Sequence, residues 1–356
     1  MSSSDKLTSL PTELLLKCIE AIADDQKRSL ANLCLTAKLL RNAAEPYLYR
    51  RLHMKICQWK TKQLFRTVVQ RPAVGDYIRY AAFERGDDDQ PRHGEWCECT
   101  AQIDSVAELS KMAMRGALTK AEFLGDYDRW IEWFQTESLV ALQALFLLHV
   151  PRLEEVELAF HALDDLNTAY LWLLLANLIM ISELLHSFPC RGAGEASAFL
   201  GKLKVLSVRE ETDDDDNVIH TVRNFLTLPS LTTLCLRYFS KFQHPSETLP
   251  WDLLPASSSV RSIKLHQCNL DTRGIANIME SCRSLIDLAI TYRPGPGLAP
   301  FDSFGLDGLR SGLLTHIATL ETVHLRFDDG MRQLLAILNA TLTFKLFSNL
   351  KSLKVS

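Results

Sequence analysis

The sequence predicts a protein that is mostly α-helical at its N-terminus and continues as an irregular α/β solenoid. Three observations predict this fold class. The first 50 or so residues contain three short segments with helical apolar spacing. From Leu153 onward, a short aliphatic core recurs seven times. The composition, 47% apolar and 23% charged, is that of a globular chain and excludes a mainly disordered one.

Local signals define the three N-terminal helices. Pro11 suits the first turn of a helix because its missing N–H costs little there, and apolar side chains follow at helical spacing as far as Ile22. Ser29 is the expected cap of the second helix. A third helix is expected over Lys38–Ala44 and ends before Pro46, because the residue before a proline resists helical geometry.

Apolar and charged positions in these segments follow a recognisable order. The order reads Leu10-Pro11-x-Glu13-Leu14-Leu15-x-x-x-Ile19, then Leu30-x-x-Leu33-Cys34-Leu35-x-x-Lys38, then Ala44-Glu45-Pro46-Tyr47-Leu48-Tyr49-Arg50. Over roughly residues 7–52 it resembles an F-box, and its last part resembles the tail common in F-box proteins of filamentous fungi. The large aromatic residue that often follows the lysine in that family is Leu39 here.

The resemblance implies a function for the first domain, which we assign to residues 5–52. In that family the module binds the Skp adaptor and, through it, the cullin scaffold of a cullin–RING ubiquitin ligase. Carried over residue by residue, the adaptor contacts would be Leu10, Pro11, Glu13, Leu14, Leu15, Ile19, Leu30, Leu33 and Lys38.

The charge of the chain is divided unevenly. Residues 1–80 carry 14 Lys and Arg against seven Asp and Glu, a net charge of +7, whereas the rest of the chain has −11. The Skp adaptor family is acidic, so a basic first part is compatible with it. An ordinary solvated surface is the alternative interpretation. The overall charge of −4 argues against a dedicated nucleic-acid binder.

Repeated aliphatic cores of the form L-x-x-L-x-L indicate the second domain, over 151–356. Successive cores start 50, 28, 29, 25, 35 and 30 residues apart, at or above the period of leucine-rich repeats. They begin at Leu153, Leu203, Leu231, Val260, Leu285, Leu320 and Leu350. The segment Ile263–Ile275 resembles the cysteine-containing leucine-rich repeat common behind F-boxes, and Cys268 and Cys282 are then expected to be buried.

Residues 53–150 repeat poorly and are interpreted as a helical or irregular linker region with early degenerate repeats. An early strand is expected among Val74, Tyr77, Ile78 and Tyr80. The chain stops at Ser356, directly after a repeat strand. Either the last unit is an atypical cap or the sequence is a fragment of a longer chain, and both interpretations stay open.

Residues between the inward aliphatics of each strand are expected to share one face, because side chains alternate along a strand. Arg209, Arg237 and His266 then lie on neighbouring strands and converge on an acidic or phosphorylated peptide, unless they are ordinary surface charge. The predicted columns also place Lys264, His324 and Arg326 on this substrate-binding face.

No motif predicts catalysis: GxSxG, HExxH and the phosphate-binding GxxxxGK[ST] are missing. His93 with Cys97 and Cys99 does not have the spacing of a zinc site, and the acidic run Asp213–Asp216 lacks a calcium-loop pattern, so we predict no metal or other cofactor. The most apolar run, Leu171–Ile181, is too short to span a bilayer as a helix. We therefore expect no membrane contact.

These observations predict a non-catalytic substrate-recognition subunit of an SCF-type cullin–RING ubiquitin ligase. Its first domain would bind the Skp adaptor, and its repeats would bind a protein substrate of unknown identity. The alternative is a leucine-rich-repeat interaction scaffold that recruits no ligase. Nine cysteines without a dense framework indicate a reducing compartment, which is the cytoplasm, the nucleus or both.

Overall fold

A computed structural model of the protein describes residues 10–23, 26–55, 59–84, 146–147, 149–160, 200–210, 222–223, 225–238, 253–268, 272–292, 306–327 and 346–355. The described residues fall into two compact units. Those as far as Leu153 belong to the first unit, and those from Glu154 onward belong to the second.

The described part of the first unit contains helices and a pair of strands. The helices are α1 (Thr12–Ala23), α2 (Lys27–Thr36), α3 (Lys38–Arg50), α4 (Trp59–Gln70) and α5 (Pro72–Gly75). The strands are β1 (Arg51–Lys55) and β2 (Tyr80–Glu84). They pair in parallel, with Leu52 opposite Ala81 and Met54 opposite Phe83. The early strand predicted from Val74 onward thus begins later, at Tyr80, because Val74 lies in α5.

The first three helices share a small apolar core. Each helix contributes two residues that are four positions apart, and residues with this spacing lie on one face of a helix. These pairs are at most 9% exposed: Leu15 with Ile19, Leu30 with Cys34, and Leu40 with Ala44. The apolar periodicity of the sequence therefore selects the faces by which the helices contact one another.

The predicted end of the third helix is wrong. α3 passes through Pro46 and ends at Arg50 instead of Ala44. Proline removes one backbone donor from the helix, which normally disfavours its interior. Here Tyr47 and Leu48, directly after the proline, are partly buried against the apolar core, and this burial favours continuation of the helix.

The predicted cap of the second helix is also wrong. α2 begins at Lys27 with Gln26 as its N-cap, and no side chain caps its backbone N–H groups. Ser29 lies inside the first turn, and its hydroxyl donates a hydrogen bond to Gln26 Oε1 at 2.9 Å. The residue type fitted a cap, but its hydroxyl bonds to a side chain rather than to the backbone.

The described strands of the second unit are β3 (Glu155–Phe160), β4 (Val205–Glu210), β5 (Thr233–Arg237), β6 (Ser262–His266), β7 (Asp287–Tyr292), β8 (Thr322–Phe327) and β9 (Ser352–Val355). They pair in parallel and in chain order, each with the next. Two described helices accompany them, α6 (Thr272–Ser281) and α7 (Leu306–Thr315).

Alternation along these strands places two aliphatic residues of each central strand in the core. Because their register is fixed by the ladder, the aliphatics form two continuous rows across neighbouring strands. One row is Leu206, Leu234, Ile263, Leu288 and Val323, and the other is Val208, Leu236, Leu265, Ile290 and Leu325; every member is at most 4% exposed. The other face of these strands is left for polar side chains.

α6 and α7 lie close together beside a buried histidine. A Cβ added at Gly312 would lie 2.6 Å from Met279 Sδ, so the glycine permits this approach. His316, 3% exposed, contacts the Met279 carbonyl through Nε2 at 2.8 Å, and its Nδ1 accepts the Leu285 N–H at 3.4 Å. Both contacts are satisfied by the neutral ring with its proton on Nε2. Burial lowers the pKa of His316 in agreement with that form.

The predicted burial of Cys268 and Cys282 is confirmed. They are 3% and 1% exposed. The thiols donate to the Leu236 and Ile278 carbonyls at 3.3 and 3.4 Å, and burial raises the pKa of Cys282 to about 12. The Cys282 thiol therefore stays protonated at neutral pH, and both buried cysteines behave as small apolar side chains.

The predicted fold class, however, is wrong. The described residues contain nine strands in an all-parallel arrangement and seven helices, which is an α/β arrangement. Helices α1–α3 lie at the N-terminus, and β1 begins at Arg51 directly after α3 ends at Arg50. In the described residues neither a clear three-helix F-box nor a solenoid is present. The prediction failed because paired inward aliphatics satisfy any parallel sheet and do not distinguish one architecture from another.

Candidate functional site

A group of cationic side chains lies on the polar side of strands β4, β5 and β6. We call Arg209, Arg237, Lys264 and His266 the basic face. The ladder pairs Arg209 with Arg237, and Arg237 with His266, while Lys264 is two residues before His266. The alignment that the sequence predicted for these three strands is confirmed. Neighbouring strands are about 4.8 Å apart, so the side chains are within reach of one another.

The basic face also holds a carboxylate, which the predicted columns place in one row with Lys264. Glu157 on β3 lies across from Ser207 in the ladder. Its Oε1 is 3.4 Å from Arg209 Nη2 and 3.4 Å from Arg237 Nη1. The Glu157 side chain is 17% exposed, whereas the arginine side chains are 33% and 35% exposed. Two guanidinium groups therefore share one carboxylate oxygen.

Ser207 and Cys235 lie in the row between Glu157 and Lys264, and each is 6% exposed. The arginines of β4 and β5 contact Glu157 on the same face of the sheet. Within the described part of the chain, the Ser207 hydroxyl has no hydrogen-bond partner. A buried hydroxyl without a partner is unfavourable by about 1–3 kcal/mol. The face thus contains an unused polar group beside the two guanidinium groups.

The electrostatics of the face favour an anion. Burial and the positive charges of Arg237 and Lys264 lower the pKa of His266, so its neutral form is favoured. Burial disfavours the charged form of Arg237, but contacts with Cys235, Glu157 and Tyr238 outweigh it and raise the pKa of Arg237. Arg209, Arg237 and Lys264 thus bring three positive side chains close to the single carboxylate of Glu157, while Glu155 and Asp287 lie two residues farther along the same side of β3 and β7.

The other two predicted substrate-binding residues lie farther along the same sheet. His324 and Arg326 are on β8, aligned with Ala289 and Thr291 of β7. Those two β7 residues are in turn aligned with Lys264 and His266 of β6. One strand therefore separates the β8 pair from the basic face, a spacing of about 10 Å. They belong to the same side of the sheet but not to the arginine cluster.

The nine predicted adaptor-contact residues divide by exposure. Leu15, Ile19 and Leu30 fill the core of α1–α3, with at most 3% exposed, and cannot touch a partner in this arrangement. Leu10 and Leu33 are partly buried against that core. The remaining four are exposed: Pro11, Glu13, Leu14 and Lys38.

Sequence reasoning missed most of the apolar surface of these helices. Leu14 is 49% exposed, and Leu16, Leu35 and Leu39 are 36%, 78% and 52% exposed. We call these four residues the exposed leucines. Exposed leucines such as these are available for contact with a partner. Leu35 was visible in the motif, but periodicity alone does not reveal which apolar side chains the core leaves out.

Other sequence-based candidates lie outside the described residues, namely His93, Cys97 and Cys99, the run Asp213–Asp216 and the segment Leu171–Ile181. Within the described residues, no three His, Cys, Asp or Glu side chains are grouped so that they could hold a metal ion. No described helix has the length and apolar character needed to cross a membrane.

Comparison of the sequence with models of known protein families gives no match, and comparison with curated proteins gives none either. The two surfaces, one of exposed leucines and one of cations, are therefore the basis for any functional conclusion.

Proposed function

We propose that the protein is a non-catalytic interaction protein that serves as the substrate-recognition subunit of an SCF-type cullin–RING ubiquitin ligase. Its N-terminal helices bind the Skp adaptor, and the polar side of its second-unit sheet binds a protein substrate. Catalysis is supplied by other subunits, and the chain contributes proximity between the substrate and the ubiquitin-charged enzyme.

The observation that carries the proposal is the set of exposed leucines. Leu35 and Leu39 leave more than half of their surface in water although the neighbouring core is filled. Burying such side chains against a partner is favourable by about 1–2 kcal/mol each. The sequence resemblance of residues 7–52 to F-box proteins supports the Skp adaptor as that partner, and so does their basic charge.

One observation favours the alternative, an interaction scaffold that recruits no ligase. Leu15, Ile19 and Leu30, three of the residues that the resemblance assigns to the adaptor, are core residues of the helices. Their apolar character is then explained by packing alone. The two functions differ in a single measurable property, which is binding to the Skp adaptor.

The test is binding of the purified full-length chain to a purified Skp adaptor by isothermal titration calorimetry. We expect the parent chain to bind, and the double variant Leu35→Glu/Leu39→Glu to bind about 10- to 100-fold more weakly, because two apolar contacts become buried charges. Leu254→Glu is the matched control, since Leu254 is 74% exposed and lies in the second unit.

Both outcomes are decisive once circular dichroism shows that each variant is folded. Weaker binding by the double variant, with unchanged binding by Leu254→Glu, supports the ligase-receptor function. A folded parent chain that does not bind the adaptor contradicts it and favours the scaffold.

A further inference from the structure

The two ion pairs of Glu157 are weak by geometry. Each arginine meets the carboxylate through one nitrogen, and both meet the same oxygen at 3.4 Å. Strong charge-assisted hydrogen bonds between these groups are about 2.7–2.9 Å long and commonly use both carboxylate oxygens. Glu157 therefore meets each of the two guanidinium groups through a single weak contact.

The basic face also contains hydrogen-bond donors that do not contact the Glu157 carboxylate. Lys264 is exposed on the adjacent strand, and the Ser207 hydroxyl is buried without a partner among the described residues. A second anionic group that approached Arg209 and Arg237 would find these donors already placed. Tyr238, directly after Arg237, is 50% exposed and adds an aromatic surface next to the cations.

We propose that the basic face is a recognition site for an acidic peptide segment. In the unbound protein, the carboxylate of Glu157 occupies the place of the peptide's anionic group, and the peptide displaces Glu157 on binding. This inference rests on the proposed function in one respect: the acidic peptide would belong to the protein substrate of the proposed receptor. The anion is a side-chain carboxylate or a phosphate, since both accept hydrogen bonds from guanidinium groups.

A short acidic peptide fits this surface better than a nucleic acid does. The residues after 80 carry a net charge of −11, and this excess of acidic residues disfavours binding of an extended polyanion. A few adjacent negative charges on a peptide match a cluster of three permanent cations. A bound oligonucleotide would need phosphate contacts over a longer basic surface.

The displacement makes an unusual prediction for Glu157. Removing the internal carboxylate increases the fraction of the protein that is ready to bind, and apparent affinity rises with that fraction. Glu157→Gln is therefore expected to bind an acidic peptide about 3- to 10-fold more tightly than the parent does. Arg237→Gln is expected to bind it at least about 10-fold more weakly.

The experiment is fluorescence anisotropy of the full-length chain with labelled decapeptides at low salt. The probes are a Gly/Ser peptide with four glutamates, the same peptide with two phosphoserines in their place, and the same peptide with four glutamines. An oligo-dT of ten nucleotides is a further probe. Arg283→Gln, a change at an exposed arginine outside the basic face, is the control and is expected to match the parent.

Tighter binding by Glu157→Gln and weaker binding by Arg237→Gln support the inference, and the glutamate and phosphoserine arms identify the anion. The inference is overturned if the folded parent binds neither acidic peptide, if Glu157→Gln binds no more tightly, or if oligo-dT binds as well as the peptides. Glu157→Ala repeats the test should Glu157→Gln fail to fold. Adaptor binding by Arg237→Gln, measured separately, distinguishes failure here from failure of the proposed function.

Discussion

The N-terminal helices and the second-unit sheet leave opposite kinds of side chain in water. α1–α3 expose leucines, of which Leu35 is 78% exposed, whereas β4–β6 expose cations on their polar side. In the helices the core takes two residues from each element, and the remaining leucines stay outside. In the sheet two aliphatics per strand fill the core, and the alternate positions are polar. In the functions proposed above, the first surface would bind by burying apolar area and the second by charge.

The largest expected effect tests the contrast between buried and exposed leucines within one helix. Leu30 in α2 is fully buried and Leu35 in the same helix is 78% exposed. Leu30→Ala is expected to lower the free energy of unfolding by about 2–5 kcal/mol, because it leaves a cavity in a core of few side chains. Leu35→Ala is expected to change it by less than about 0.5 kcal/mol. Urea denaturation followed by circular dichroism measures both.

Equal destabilisation by the two alanine variants would contradict the exposure of Leu35 in the folded chain. It would also remove the basis for an apolar docking surface, since a leucine that packs inside the isolated protein is not available for contact with a partner.

The second-largest expected change in stability tests the packing of α6 against α7 in the second unit. Gly312→Ala places a methyl group against Met279, and α6 or α7 must shift to accommodate it. Overpacking of this kind typically costs about 1–3 kcal/mol. Arg310→Ala, at an exposed position of α7, is the control and should lie within about 0.5 kcal/mol of the parent. Thermal unfolding of the two variants side by side distinguishes a steric effect from a change in helix propensity.

The register of the second-unit sheet could be predicted from sequence, whereas its architecture could not. Pairs of aliphatics two residues apart fix which side chains face the core, so the alignment of Arg209, Arg237 and His266 followed directly. Strand β1 was missed although Leu52 and Met54 alternate with polar residues, which is the pattern of a half-buried strand. The architecture depends on how the connections are arranged, and short aliphatic cores carry no information about that.

The candidate site was likewise predicted in part. Strand alternation predicted that the cations of the basic face lie on one side of the sheet. The ion pairs of both arginines with Glu157 depend on side-chain rotamers that no local pattern specifies. In the helices, the motif gave nine positions, and three of them proved to be core. Resemblance marks which positions matter in a family, and only three-dimensional packing separates their structural from their binding roles.

A third prediction concerns pH and the buried histidine of the second unit. Burial lowers the pKa of His316 from 6.5, so the unfolded chain binds this proton at a higher pH than the folded chain does. His316 therefore destabilises the fold as the pH falls below 6.5, and its effect is absent at alkaline pH. Urea midpoints between pH 5 and 8 should decrease toward acid, and His316→Gln should flatten that dependence.

His266→Gln is the comparison for that measurement, because burial and the charges of Arg237 and Lys264 also lower the pKa of His266. Both histidines are therefore expected to lower the stability of the fold as the pH decreases. If His316→Gln retains the full acid dependence of the parent, the buried ring does not stay neutral in the folded protein.

The smallest expected effect compares an ion pair of each unit. Arg71 contacts both carboxylate oxygens of Glu45, at 2.9 and 2.8 Å, whereas Arg237 meets only one oxygen of Glu157, at 3.4 Å. The Arg71 side chain is 52% exposed, so screening limits even the better pair to about 0.5–1 kcal/mol. Double-mutant cycles with glutamine at each position should give a coupling energy for Arg71 and Glu45 that exceeds the value for Arg237 and Glu157. The reverse order would make Glu157 a structural partner of the sheet, and an acidic peptide would then have no readily displaced carboxylate to replace.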